Sequence, residues 1–296
     1  MKPVDPKVTK VGFIGTGVMG NPMATHILNA GYELYVYNRT ESRAQSLVDS
    51  GATFCETPGA VAAECDVIFA IVGFPPDVES VFLGEQGIVA AAKAGSIIVD
   101  MTTSKPELAV EIAKVAAVKD VHSLDAPVSG GDIGAQKGVL SIMVGGEEAA
   151  FEAVLPLFKL MGANIVYQGP AGSGQHTKMA NQIAIASTMI GMCESLAYAK
   201  AAGLDLETVL SSISKGAAGS WSLTNLAPKV LDGDYAPGFY VKHFIKDMGI
   251  ALESSESMGV ATPGLTIAKT LYDAIAAAGN GDCGTQALFK AYAQKG

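Results

Sequence analysis

Positive charge is what this chain has least of. Its 296 residues carry 20 Lys and Arg against 29 Asp and Glu, a net charge of −9. A phosphate backbone needs a basic surface, so nucleic acid is excluded as the main partner. A small anionic ligand is not excluded, because it needs only one local positive site. Cysteine is also scarce: Cys55, Cys65, Cys193 and Cys283 are dispersed. No two make a C-x-x-C pair, and the four histidines stand at no ligand spacing to them. No metal is expected. The stretch Met1 to Lys10 is polar, carries two prolines and has no apolar leader core. With dispersed thiols, that pattern fits a reducing compartment, and the expected location is cytoplasmic. Long hydrophobic runs are missing as well. The most apolar one, 179–193, contains Asn181 and Gln182. It falls short of the roughly 20 residues a spanning helix needs, so no membrane is expected.

What is present reads as a folded enzyme-sized chain. Hydrophobic residues make up 49% and charged residues 17%, and at about 150 residues per domain two domains are expected. Val11 to Ile14 reads as a short strand. Gly15-Thr16-Gly17-Val18-Met19-Gly20 follows it directly, and Met23, Ile27 and Leu28 then carry a helical period to Gly31. Leu34 to Tyr37 reads as the next strand. This is G-x-G-x-x-G between a strand and a helix, the context that gives the motif its meaning. Gly15 allows the tight turn, Gly17 lets backbone approach a pyrophosphate, and Gly20 lets the helix pack close. At the end of the second strand, where NAD sites place an acid, this chain has Asn38-Arg39-Thr40. No carboxylate repels a 2′-phosphate there, and Arg39 can pair with one. NADP is the expected cofactor, with NAD admissible.

Strand and helix signals go on alternating. Asp66 to Val72, Ser96 to Val99, Val121 to Leu124, Leu140 to Val144 and Ile165 to Tyr167 read as strands. Helices are expected from Pro106 to Ala117 and from Glu147 to Met161, the second kinked at Pro156. Such alternation predicts a doubly wound α/β sheet of the Rossmann type. After Gly172 the strand signals stop, and an all-helical remainder is expected. The domains are therefore placed at 1–170 and 171–296, joined by a long helix over roughly 174–202. On that helix Gln175, Lys178, Asn181 and Gln182 share one stripe, which continues as Ile185, Met189, Met192 and Leu196. The opposite side is apolar too, which predicts a helix buried nearly all round. A buried ammonium needs compensation, so Lys178 either ends at water or meets a ligand.

The motifs taken together resemble the β-hydroxyacid dehydrogenase family, that of 3-hydroxyisobutyrate dehydrogenase and its glyoxylate, succinic semialdehyde and tartronate semialdehyde reductase relatives. The resemblance rests on Gly12 to Ala24, on Asp125-Ala126-Pro127-Val128-Ser129-Gly130-Gly131, on Gly172-x-Gly174-x-x-x-Lys178-x-x-Asn181, and on Lys246-Asp247. It implies catalytic roles for Lys178, as the proton donor and acceptor, and for Asn181. A lysine near its ordinary pKa is a poor acid-base group at neutral pH, so partial burial is expected to lower it. It implies substrate contacts at Ser129, Gly130, Gly131 and Lys246. It implies cofactor contacts at Phe13, Ile14, Gly15, Thr16, Gly17, Val18, Met19, Gly20, Asn38, Arg39, Thr40, Val72, Thr103, Lys246 and Asp247. It also implies a small hydroxy acid or semialdehyde as substrate, and a homodimer or homotetramer with the active site between domains.

Other readings stand beside this one. An imine reductase would share the architecture, but those enzymes usually replace the lysine that Lys178 supplies. A non-catalytic nucleotide-binding regulator would not need the full lysine, asparagine and serine-glycine set. His176 and His243 are read as solvent-facing or supporting groups. Trp221 is read either as a pocket residue or as core packing. The Ser220-Trp221-Ser222 segment inclines the substrate choice towards 3-hydroxyisobutyrate.

Overall fold

The computed structural model describes residues 1 and 3–293. They form two compact units, Met1–Lys178 and Met179–Gly296.

The first unit is built on one nine-stranded sheet. Its strands are β1 (Lys10–Ile14), β2 (Glu33–Tyr37), β3 (Thr53–Phe54), β4 (Val67–Ala70), β5 (Ile97–Asp100), β6 (His122–Asp125), β7 (Val128–Ser129), β8 (Leu140–Gly146) and β9 (Gly162–Gly169). The order is β3-β2-β1-β4-β5-β6-β8-β7, with β9 on β8. The pairs from β3 to β6 are parallel. β8 runs antiparallel to β6 and β7, so the doubly wound sheet is mixed at that side. β4 and β5 are buried at every position, as expected of parallel strands covered on both faces. Neighbouring residues serve opposite cores. Phe69 and Val99 pack with Phe13, Met23 and Phe158. Ile68 and Ile98 pack with Val61, Phe82 and Ile112. The Phe13 and Phe69 rings stack at 6.0 Å, and Phe158 meets Phe69 edge-on at 5.9 Å. Pro156 lies inside the helix Glu148–Met161, which continues past it.

The long helix runs from Ser173 to Ala201. Its first turns belong to the first unit and the remainder to the second. The expectation of burial nearly all round needs correction. Ala180, Ala184, Ser187, Gly191, Glu194 and Tyr198 form an exposed stripe. Most of these are small residues, which fit a core and a surface equally well, so composition did not separate the two. Along the expected stripe Gln175, Lys178, Gln182, Met189, Met192 and Leu196 are buried, whereas Asn181 and Ile185 are half-buried.

The second unit is helical. Its longer helices after Ala201 are Leu206–Ile213, Val241–Ser257 and Pro263–Ile275. Met189, Met192, Leu196, Phe244, Met248 and Tyr272 lie in its core. Tyr272 is fully buried, meets Phe244 edge-on at 5.0 Å, and donates its hydroxyl to the Thr285 carbonyl at 2.9 Å. A buried phenol needs such an acceptor. Among the described residues, no helix is long and apolar enough to cross a membrane.

Candidate active site

Parallel register brings the candidate loops to one edge of the first sheet. Ile14 is level with both Tyr37 and Ala70, Ala70 with Asp100, and Asp100 with Asp125. The chain therefore leaves β1, β2, β4, β5 and β6 on the same line. Gly15–Gly20, Asn38–Thr40, Val72 and Thr103 all follow from those exits. That edge, at the carboxyl ends of the strands, is where open α/β sheets bind ligands.

The glycine loop has the form a dinucleotide requires. Gly15 has φ +89°, and a Cβ there would collide with the Ile71 carbonyl. A Cβ at Gly20 would strike the Gly15 carbonyl, so the helix Gly20–Asn29 sits hard against the loop. At Gly17 a Cβ would meet nothing, so the backbone is open to approach. The Thr16 hydroxyl is buried without a hydrogen-bond partner, a donor suited to a phosphate oxygen. Asn38 braces the loop: its Oδ1 accepts Thr16 N–H at 3.0 Å, while its Nδ2 donates to the Thr40 carbonyl at 2.8 Å. Arg39 is exposed and pairs with Asp77 at 3.2 Å. The Val72 N–H is held by Thr102 Oγ1 at 2.9 Å. The glycine loop and the Thr16 hydroxyl are suited to a dinucleotide phosphate, while the Arg39 guanidinium is paired with a carboxylate, Asp77.

The start of the long helix is tied into the same unit by two side chains that the sequence reading gave no role. Asp125, 3% exposed, ends β6. Its Oδ1 accepts Gly172 N–H and its Oδ2 accepts Gln175 N–H, both at 2.8 Å. Burial pushes this carboxyl up to about 6, against the pull of those backbone donors. Gly174 lets the helix come this close: a Cβ there would collide with the Met143 and Asp125 carbonyls. Gln175, 0% exposed, takes Ser104 N–H on Oε1 at 2.9 Å and donates Nε2 to the Thr102 carbonyl at 2.7 Å. Lys178 is 6% exposed and follows one turn later on the same helix. Ser129 lies on β7, paired with Ser141. Gly130 and Gly131 follow at positive φ, +131° and +65°.

In the second unit a buried chain of side chains runs from Asn181. Asn181 Nδ2 donates to Gln182 Oε1 at 2.7 Å, and Gln182 Nε2 donates to Asp247 Oδ2 at 2.6 Å. Lys246 lies 3.0 Å from the other carboxylate oxygen of Asp247. Asp247 is 1% exposed: Oδ2 is hydrogen-bonded to Gln182, and Oδ1 is ion-paired with Lys246. Burial, followed by the Lys246 charge, lowers the His243 pKa. His176 is exposed. Trp221 is 65% exposed at the first turn of the helix Trp221–Asn225, so it is not a core residue of its unit.

The residues that sequence reasoning left without a role are Asp125, Gln175 and Gln182. A signal was present for the two glutamines, since amides on an apolar helix need partners. Those partners lie 71 to 73 residues away for Gln175 and 65 for Gln182, and only the fold names them.

Comparison with known proteins gives matches to both units. Residues 10–169 match the family described as the NAD binding domain of 6-phosphogluconate dehydrogenase. Residues 172–292 match that described as NAD-binding of NADP-dependent 3-hydroxyisobutyrate dehydrogenase. An uncharacterised oxidoreductase of Bacillus subtilis is 60% identical over 95% of this chain and 97% of its own. A probable mitochondrial 3-hydroxyisobutyrate dehydrogenase-like protein of Arabidopsis thaliana is 51% identical over 97% of this chain and 86% of its own. The solved 3-hydroxyisobutyrate dehydrogenase of Mycobacterium tuberculosis, with L-serine, superposes with a TM-score of 0.88 at 26% identity. That superposition covers 97% of this chain and 99% of the other. The matches bear out the expected pairing of a Rossmann domain with a helical domain. They also bear out NADP as the expected cofactor, with NAD admissible.

Proposed function

The chain belongs to the β-hydroxyacid dehydrogenase family, and from that premise we propose that it interconverts a short β-hydroxy acid and its semialdehyde, 3-hydroxyisobutyrate first among them. It is an NAD(P)-dependent oxidoreductase acting on CH–OH groups. In this reading residues 1–170 are the cofactor domain and residues 171–296 the substrate and dimerisation domain of a cytoplasmic homodimer or homotetramer. The nicotinamide, when bound, supplies or accepts the hydride.

This chain's residues do the rest. Gly15 to Gly20 hold the pyrophosphate, with Phe13 and Ile14 leading into the loop and the Thr16 hydroxyl as an added donor. Asn38, Arg39 and Thr40 take the adenosine end, Arg39 at the 2′-phosphate. Val72 and Thr103 border the nicotinamide half. Ser129, Gly130 and Gly131 bind the substrate carboxylate through backbone N–H groups and one hydroxyl. Lys178 gives a proton to the carbonyl oxygen on reduction and takes it back on oxidation, and Asn181 donates to the same oxygen. One Asn181 N–H is already spent on Gln182, which leaves the other for the ligand. Lys246 contacts cofactor or substrate, with Asp247 holding its ammonium in place.

The observation that carries this reading is the near-complete burial of Lys178 one turn beyond Gln175, which is tied to the strand exits of the dinucleotide fold. The test is a kinetic panel of methylmalonate, tartronate and succinate semialdehydes with NADPH and NADH, and of their hydroxy acids with NADP⁺ and NAD⁺. Lys178→Ala should lose about 10²- to 10⁴-fold in kcat, the usual range for a general acid-base group. Wild-type turnover by that variant would refute the mechanism.

A further inference from the structure

Gln175 is fully buried, and both ends of its side-chain amide are bonded. Its amide accepts from Ser104 N–H at 2.9 Å and donates to the Thr102 carbonyl at 2.7 Å. The residue enclosed between those two bonds is Thr103. The backbone N–H of Gln175 is bound to Asp125, which also holds Gly172 N–H. Lys178 stands one turn further on. Thr102 is fixed from its other side, since its N–H donates to Asp100 Oδ1 at 2.9 Å and its hydroxyl accepts Val72 N–H. The Thr103 loop and the Lys178 turn are thus joined by one planar amide, with no water needed to complete it.

We propose that Gln175 is a positioning residue of the reaction. It touches neither substrate nor cofactor. It sets the Thr103 loop, assigned above to the nicotinamide, in register with the turn that carries Lys178, assigned above to the proton. The inference rests on those two assignments. A reaction that moves a hydride and a proton at one carbon–oxygen bond needs both groups placed together, and an error of about 1 Å can cost roughly a hundredfold in rate.

The chemistry of the clamp is asymmetric, and this makes it testable. One end must accept and the other must donate. Glutamine does both. An ionised glutamate of the same shape only accepts, and would set a charged oxygen against the Thr102 carbonyl. A protonated glutamate again accepts at one oxygen and donates at the other. Gln175→Glu is therefore repaired by acid, whereas Gln175→Leu is not.

The experiment compares wild type, Gln175→Glu, Gln175→Leu and Lys178→Ala between pH 6 and 8. It measures NADPH dissociation constants by fluorescence titration, hydrogen exchange of the peptide holding the Ser104 amide, and kcat with the panel substrate that the wild type turns over fastest. We expect both Gln175 variants to bind NADPH within about threefold of wild type, because the glycine loop is untouched. Their kcat at pH 8 should fall about 10- to 100-fold, with faster exchange at Ser104. Gln175→Glu, normalised to wild type, should regain at least about fivefold in kcat and regain Ser104 protection on going to pH 6. Gln175→Leu should regain neither. The proposal is overturned if Gln175→Leu keeps kcat within about twofold of wild type, or if the two variants show the same pH ratio. Full activity in Lys178→Ala instead refutes the assignment of the proton, whatever the Gln175 variants do.

Discussion

Asp125→Asn separates two forces acting on one carboxyl. Asparagine keeps the shape and one acceptor oxygen, so the site stays filled. Burial raises the Asp125 pKa from 3.8 to about 6, in spite of the Gly172 and Gln175 N–H groups that pull it down. The sign follows from linkage. A carboxyl with a raised folded-state pKa binds more protons folded than unfolded, so acid favours the folded state. The ionised form, dominant above pH 6, is the less stabilising one. A shift of about two units corresponds to roughly 3 kcal/mol, gained as pH falls from about 7 to below 4. By pH 4.5 about 2 kcal/mol of it should be present. Asparagine has no proton to bind and gains nothing. The stability of wild type minus that of the variant should therefore widen by about 2 kcal/mol between pH 7 and 4.5. Urea unfolding of both proteins at several pH values measures this, because every other titrating group cancels in the difference. Parallel curves would mean that the pKa is not shifted. A gap that narrows in acid would mean that the helix N-terminus outweighs burial, and the reasoning would be refuted.

Further outcomes follow from contacts of the same kind. Gly174→Ala places a methyl against the Met143 and Asp125 carbonyls; we expect a loss of about 1–3 kcal/mol in urea unfolding, and unchanged stability would mean that the helix start can shift freely. Gln182→Leu removes a buried donor from the Asp247 carboxylate. It should cost about 1.5–3 kcal/mol, the range for a hydrogen bond to a charged group, and Gln182→Glu, which sets two acids together, should cost more by the same assay. Arg39→Ala should weaken NADPH binding by about tenfold or more while leaving NADH within about twofold, because only the former has a 2′-phosphate for the guanidinium. Equal losses for both cofactors in a fluorescence titration would place Arg39 elsewhere.

Much of the fold was legible because its signals are local. The strand before Gly15, the helical period after Gly20 and the unbroken apolar runs of β4 and β5 each declare themselves within a few residues. Short elements were less visible. β3 and β7 have two residues each, too few to show a period. The antiparallel turn of β8 depends on its partners and not on its own composition. The long helix was legible in its extent and in its buried stripe, but not in its exposed one. Alanine, serine and glycine at 180, 184, 187 and 191 carry little preference for core or water.

The candidate site divides along the same line. The sequence alone determined which residue types stand at which strand exits, and hence the dinucleotide loop at Gly15–Gly20, the missing acid at Asn38–Thr40, and a lysine grouped with amides at the start of a largely apolar helix. Spacing along one strand or one helix carries all of that. Only the tertiary structure decided how Lys178 is held. Asp125 meets Gly172 and Gln175 47 and 50 residues further on, and Gln175 reaches back to Thr102 and Ser104. Gln182 finds Asp247 65 residues away. A buried carboxylate or amide declares that it needs a partner. Which partner it finds depends on sheet order and helix packing, and those are properties of the folded chain.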